Sequence, residues 1–256
     1  MDAQQAASLL NELQTYNLSH WGFTLYRTDY DPPHEPQWIA LVNALNQATL
    51  AEICNNEPPY DELTGELLPA PPADAPQNLQ LLHQVCSAFH LDVRSNQELY
   101  GDADLNALRK IHLDELRHEH GVRTPPRDGG EPQLAAPVEK FVFLLADAED
   151  LADGRREGWV KAVDAKYEAK QHESGRRARQ HYWGWMKMEL GACRVLWSDV
   201  KMMGEMSEVA PPSYEGARAA GVYEGMTASD SGAGPMSVSR FLDSSSFRDR
   251  VAGRCG

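Results

Sequence analysis

His118, Glu119 and His120 stand side by side and offer two imidazoles and a carboxylate, the donor types of a metal site. Neighbouring residues of a helix point about 100° apart, so the two histidines cannot share one ion on a straight helix. The zinc-protease spacing His-Glu-x-x-His is missing, and the cluster reads as a polar helix end whose charged histidines suit the C-terminal dipole. No metal is expected. His112 is different, because it falls among Leu105, Leu108 and Leu116 on an apolar stripe, with Glu115 and Glu119 following at one and two turns. It fits a core histidine held by a carboxylate and, as the functional alternative, a general base.

Arg27 closes an aromatic run, WGFTLYR, and is the single cation in the first 93 residues. A guanidinium placed there can fork onto an anionic ligand or pair with a neighbouring acid at the sheet edge. Asp147 and Asp164 each end an apolar strand. Two carboxylates in unlike environments can divide acid and base roles, but in an antiparallel hairpin these two ends lie at opposite edges, and capping or turn roles suffice. Asp164 and His112 are the candidate acid–base groups. Tyr26, Trp183 and Trp185, with Trp21 and Tyr182, are candidates for an apolar ligand groove, against simple core packing. Phosphate-binding loops, dinucleotide fingerprints, nucleophile elbows and kinase signatures do not occur, so no cofactor is expected.

The elements that must position these side chains begin with a helix over residues 3–15, where Ala6, Leu9, Leu10 and Leu13 recur at helical spacing. Alternation in WGFTLYR predicts a strand. The run from Pro36 carries Trp38, Leu41, Val42 and Leu45 on one stripe and predicts a core-facing helix. A proline-rich segment at 55–77, helices at 78–91 and 103–120 and a loop at 124–137 together read as a helical insertion over about 55–137. KFVFLLAD, apolar on both alternating sets, predicts a strand covered on both faces. GWVKAVDAKY and WGWMKMEL predict two more strands, and a helix follows over about 191–203. The expected fold is α+β: a ferredoxin-like sandwich with a mixed or antiparallel sheet of about four strands and helices on one face. Residues 1–206 form the domain, and 207–256, rich in Gly, Ser and Ala, form a mostly disordered tail.

Composition narrows the function classes. The chain has 256 residues, 42% of them hydrophobic, and no apolar stretch long enough to span a bilayer. Its net charge of -14 is uneven: residues 1–100 carry 13 acids against two bases. Nucleic-acid binding rests on clustered Lys and Arg, so such a surface argues against that partner. The basic cluster of Lys166, Lys170, Arg176, Arg177 and Arg179 reads as a solvated loop. Four cysteines, widely spaced, and no secretory leader pattern predict reduced thiols in a cytoplasmic or nuclear protein.

The aromatic-glycine strand ending in Tyr26-Arg27 and the later Gly184 to Lys187 strand, with FVFLLADAEDL and GWVKAVDAKY between them, resemble a set of uncharacterised proteins of filamentous fungi. The resemblance covers about residues 20–205 and implies a fungal intracellular origin, with no assigned activity. The leading expectation is a binding or protein-interaction module that presents an acidic surface or an aromatic groove to a protein or small ligand. The alternative is a cofactor-independent lyase or isomerase, with Arg27 as anion anchor and His112 or Asp164 as acid–base group.

Overall fold

The structure is a computed structural model that describes residues 1–15, 18–54, 68–119, 141–152, 158–168, 182–211 and 222–223. The chain runs α1 (Ala3–Thr15), β1 (Trp21–Arg27), α2 (Glu35–Cys54), α3 (Gln77–Ser87), β2 (Phe89–Arg94), α4 (Gln97–Tyr100) and α5 (Leu105–Glu119). It continues through β3 (Val142–Ala146), α6 (Ala148–Ala152), β4 (Trp159–Asp164), β5 (Trp185–Glu189), α7 (Cys193–Met203), α8 (Met206–Val209) and β6 (Val222–Tyr223). Among the described residues the fold is mixed α+β, built on a mixed sheet of five strands extended by the two-residue β6, in the order β2-β1-β3-β4-β5-β6. None of the described helices is long and apolar enough to cross a membrane.

β1 is an interior strand, next to the edge strand β2, and is parallel to both β2 and β3. β4 then runs antiparallel to β3, and β5 antiparallel to β4. Side-chain alternation sends Trp21, Phe23 and Leu25 of β1, with Val142, Leu144, Val160, Ala162, Met186 and Met188, into one core under α1, α2, α3 and α7. Tyr26, Phe143, Leu145 and Val163 enter a second core with Tyr100 and Leu108 of α4 and α5. Helices therefore cover both faces of the sheet.

This arrangement corrects the expected ferredoxin-like sandwich of about four strands with helices on one face. The physical reason is β2. Phe89 extends the apolar stripe of α3, and the helix expected over 78–91 absorbs it; the helix instead ends at Ser87, and the chain pairs along β1 from Trp21↔Phe89 to Tyr26↔Arg94. Residues 77–119 thus supply a sheet strand and the cover of its second face, so they belong to the architecture and do not decorate it.

Both aromatic-glycine motifs have a steric cause. Gly22 has φ +145°, and a Cβ there would lie 1.9 Å from the His90 carbonyl oxygen of β2. Gly184 has φ +75°, and a Cβ there would lie 2.2 Å from the Tyr167 ring, beside the Arg109 guanidinium. Only glycine admits both the positive φ and the close approach, of the His90 backbone at Gly22 and of the Tyr167 and Arg109 side chains at Gly184.

The chain past Ser207 also contributes to the fold. Val209 is buried, and Tyr223 is buried where β6 pairs with β5 at Met188↔Tyr223. The Tyr223 hydroxyl donates to Asp199 of α7. Residues 212–221 and 224–256, and with them most of the expected tail, lie outside the described residues. Tyr223→Ala is expected to lower the unfolding free energy by about 2–4 kcal/mol in urea titration, by loss of buried ring volume. A change below about 0.5 kcal/mol would mean that β6 does not dock on the sheet.

Candidate functional site

The chain leaves β1 toward β2 on one side and returns to β3 on the other, so the topology switches between β1 and β3. In open sheets of this kind a crevice forms outside the carboxyl ends of the strands at the switch point. Such a crevice is present, with a volume of about 310 Å³, lined by Thr28 and Asp29 after β1, Asp102 and Ala103 before α5, and Asp147, Ala148 and Glu149 after β3. Its floor is drawn together by backbone bonds: Thr28 N–H donates to Ala146 O (3.2 Å), and Asp102 N–H to Thr28 O (3.3 Å). Asp102 holds φ +60°, a conformation that Asp and Asn tolerate better than other side-chain-bearing residues.

Four of the seven lining residues are acids and none is basic. Asp147 caps α6: its Oδ1 accepts from the backbone N–H groups of Glu149 (3.0 Å) and Asp150 (3.3 Å), while Asp150 Oδ2 accepts from Asp147 N–H (3.2 Å). This is a reciprocal capping arrangement of the box type. Lys161, buried in β4, reaches the same acids, with Nζ 2.5 Å from Asp147 Oδ2, 2.9 Å from Glu149 Oε2 and 3.9 Å from Asp150 Oδ1. Lys187 faces Lys161 across the β4–β5 pair, and Glu149 lies within 3.6 Å of it. Glu149 therefore offsets the repulsion of two opposed lysines.

Two acids of this cluster, Asp150 and Glu149, are shifted in opposite directions. Asp150 has a fully buried side chain, and its Oδ1 has no hydrogen-bond partner. Burial pushes its carboxyl up to about 8, against the partial compensation of Lys161. The Lys161 hydrogen bond instead holds Glu149 below the usual carboxylate range. Burial opposes the Lys161 charge, but Asp150, Asp147 and Glu149 outweigh it and raise its pKa. For Asp150 burial is the dominant cause, because a 3.9 Å contact is a weak substitute for a direct hydrogen bond.

Arg27 lies at the end of β1 but does not line the crevice. Its side chain is 3% exposed; Nη1 donates to Glu35 Oε2 at 2.5 Å, and Nε donates to Asp29 O at 2.6 Å. The guanidinium lies 4.7 Å from the Tyr30 ring centre and 5.4 Å from that of Trp38. The arrangement is that of an internal pair that ties β1 to the start of α2. Next to it His34 Nδ1 bonds Asp29 Oδ2, and Asp29, Asp31 and His34 bring one ligand-type atom each within 4.8 Å of one another.

The remaining sequence candidates are dispersed. His112 is buried on the second face, where its Nδ1 lies 3.2 Å from the Tyr26 hydroxyl. That hydroxyl donates to Glu115 Oε2 (2.7 Å), and Tyr100 donates to Glu115 Oε1 (2.9 Å). At Nδ1 the histidine meets Glu115 through a tyrosine; the one Tyr26 proton goes to Glu115, which leaves Nδ1–H to donate to the tyrosine oxygen. Burial, together with Glu115, raises the Tyr26 pKa far above its ordinary value.

Asp164 accepts from Tyr182 OH (3.0 Å) and from Lys166 N–H (2.9 Å), and its carbonyl takes Arg109 Nε–H (2.8 Å). It stands opposite Val142, the first residue of β3, whereas Asp147 follows the last. The two carboxylates do not meet. Trp183 is 44% exposed, Trp185 stands 5.4 Å from Lys161 Nζ, and Trp21 is fully buried with its Nε1–H on Val85 O. These aromatics and Tyr26 do not converge on one groove. The side chains of His118 and Glu119, all of His120, and four of the five basic-cluster residues (Lys170, Arg176, Arg177 and Arg179) lie outside the described residues.

Sequence reasoning missed Asp102, Glu149, Asp150 and Lys161. Lys161 carried a readable signal, a single charge inside the apolar run of β4. Asp102 carried none, because its place depends on β2 and α5 meeting β1.

Arg27→Met is expected to cost about 1–3 kcal/mol in chemical denaturation, by loss of charge-assisted bonds to Glu35 and Asp29. An unchanged stability would refute the internal-pair assignment. Asp150 gives a pH signature. Its unfolded carboxyl titrates near 3.8 and its folded one at about 8, so the unfolded state releases the proton first and this residue's contribution to stability falls as pH rises from 3.8 to about 8. Asp150→Asn is expected to gain on the unmodified protein progressively across that window. A constant difference between pH 4.5 and pH 8 would contradict the buried neutral acid.

No protein-family model, curated protein or solved structure matches the chain.

Proposed function

We propose that the chain is a binding module whose crevice at the β1–β3 switch point takes a small cationic ligand, of the amine or guanidinium class. The observation that carries this reading is the lining itself: Asp29, Asp102, Asp147 and Glu149 point one sign of charge at a concave site, with no Lys or Arg among the lining residues. A crevice lined by one sign focuses its field and raises the local concentration of oppositely charged ligand. The internal pairing of Arg27 removes the main support for an anionic ligand. Lys161 fixes Asp147 and Glu149 from below, so the acids are held in place before a ligand arrives.

The lyase or isomerase reading keeps one observation in its favour. Asp150, pushed up, sits next to Glu149, held down, and such a divided pair is the usual basis of acid–base assignments. On that reading the proton-transfer groups would be these two acids and not His112 and Asp164.

The test is thermal unfolding with arginine methyl ester and spermidine against sodium chloride at matched ionic strength. The cations are expected to raise Tm by about 3 °C at tenfold excess over half-saturation. Asp102→Asn keeps a residue that accepts positive φ while it removes a charge, and it is expected to reduce the shift. Equal shifts for salt and organic cations would overturn the proposal.

A further inference from the structure

Cys54 and Cys86 lie far from the crevice and on different elements, yet their sulfurs are 3.2 Å apart. Cys54 is the last residue of α2, and Cys86 is the last but one of α3. Both are buried and present as free thiols. A disulfide bond is about 2.05 Å long, so closure requires the sulfurs to approach by little more than 1 Å. Side-chain rotation at two helix ends is the smallest rearrangement that could supply it. The third described cysteine, Cys193, is fully buried, and its thiol hydrogen-bonds Thr49.

We infer that Cys54 and Cys86 form an oxidative modification site, a dithiol that a peroxide converts reversibly into a disulfide linking α2 to α3. The Cys54 thiolate attacks a peroxide oxygen, the O–O bond breaks, and water leaves after protonation, with Cys54 as sulfenic acid. The Cys86 sulfur then attacks the Cys54 sulfur; the S–O bond breaks and a second water leaves. Two thiols and one hydrogen peroxide give one disulfide and two waters. The order of attack follows from the surroundings of Cys54: its contact with Cys86 and the Met1 ammonium, which donates to the neighbouring Ile53 carbonyl, lower its pKa, while the same contact, together with burial, raises Cys86. Helix ends open more readily than helix middles, which gives a small oxidant access to both sulfurs. The cross-link would span the segment from Cys54 to Cys86 and lock the packing of α2 on α3.

The experiment treats the full chain with equimolar hydrogen peroxide, blocks remaining thiols with N-ethylmaleimide, and maps peptides without reduction. The expected result is a loss of about 2 Da and a Cys54–Cys86 linked peptide in more than about half of the molecules, reversed by dithiothreitol. In Cys86→Ser, dimedone is expected to trap Cys54 as sulfenic acid. The inference is overturned if Cys54 and Cys86 remain alkylatable or go separately to sulfinic acid. It is equally overturned if the disulfide that forms joins Cys255 or Cys193 to either of them.

Discussion

The structure depends on the burial of β1 on both faces. A strand flanked by two parallel neighbours cannot be reached by tight turns; each neighbour requires a crossover, and each crossover carries helices over the sheet. α2 and α3 lead to β2 over the face packed by Trp21, Phe23 and Leu25, while α4 and α5 lead to β3 over the face packed by Tyr26. The outward and return paths part above the carboxyl ends of β1 and β3. The crevice is therefore a product of connectivity, and its acids are the residues that three loops happen to bring to that point.

Two devices keep this arrangement in register. Gly22 lets β1 approach the His90 carbonyl, which aligns β2 along the whole of β1. Arg27, at the other end of the strand, is held between Tyr30 and Trp38 and bonded to Glu35 and Asp29, which fixes the departure of the chain into α2. Lys161 plays the corresponding part on the β3 side. Its charge is tolerated in the interior because Asp147 and Glu149 accept from it, and the same bonds aim those two acids at the crevice. The sheet thus sets the position of the acids from both flanks.

Much of the element pattern was legible in the sequence, because strongly periodic segments keep their period on folding. Residues 3–15, WGFTLYR and FVFLLA carry clean helical or strand patterns and adopt those structures. β2 was not legible in the same way: Phe89 continues the stripe of α3 and also begins an alternating run, and only pairing with β1 decides between the two. The tyrosine between His112 and Glu115 was hidden for a related reason, since sequence spacing along α5 shows nothing of the strand beneath it. Asp147 and Glu149 are joined locally at the start of α6, but Asp102 lies in a connection whose position is set by tertiary contacts, so no local pattern places it beside them. Tyr223 was lost among small and polar residues, although one large ring suffices to seat β6 against β5.

The cationic ligand proposed for this protein enters the switch-point crevice and does not spread over the acidic surface at large. Amide chemical-shift mapping of the isotopically labelled full chain during titration with arginine methyl ester tests it most directly. Binding in the crevice gives saturable shifts concentrated at Thr28, Asp29, Asp102, Ala103, Asp147 and Glu149, with the exposed Asp2 and Asp74 nearly unaffected. Weak, unsaturated shifts spread across the acidic N-terminal half, with the crevice amides unmoved, would contradict it.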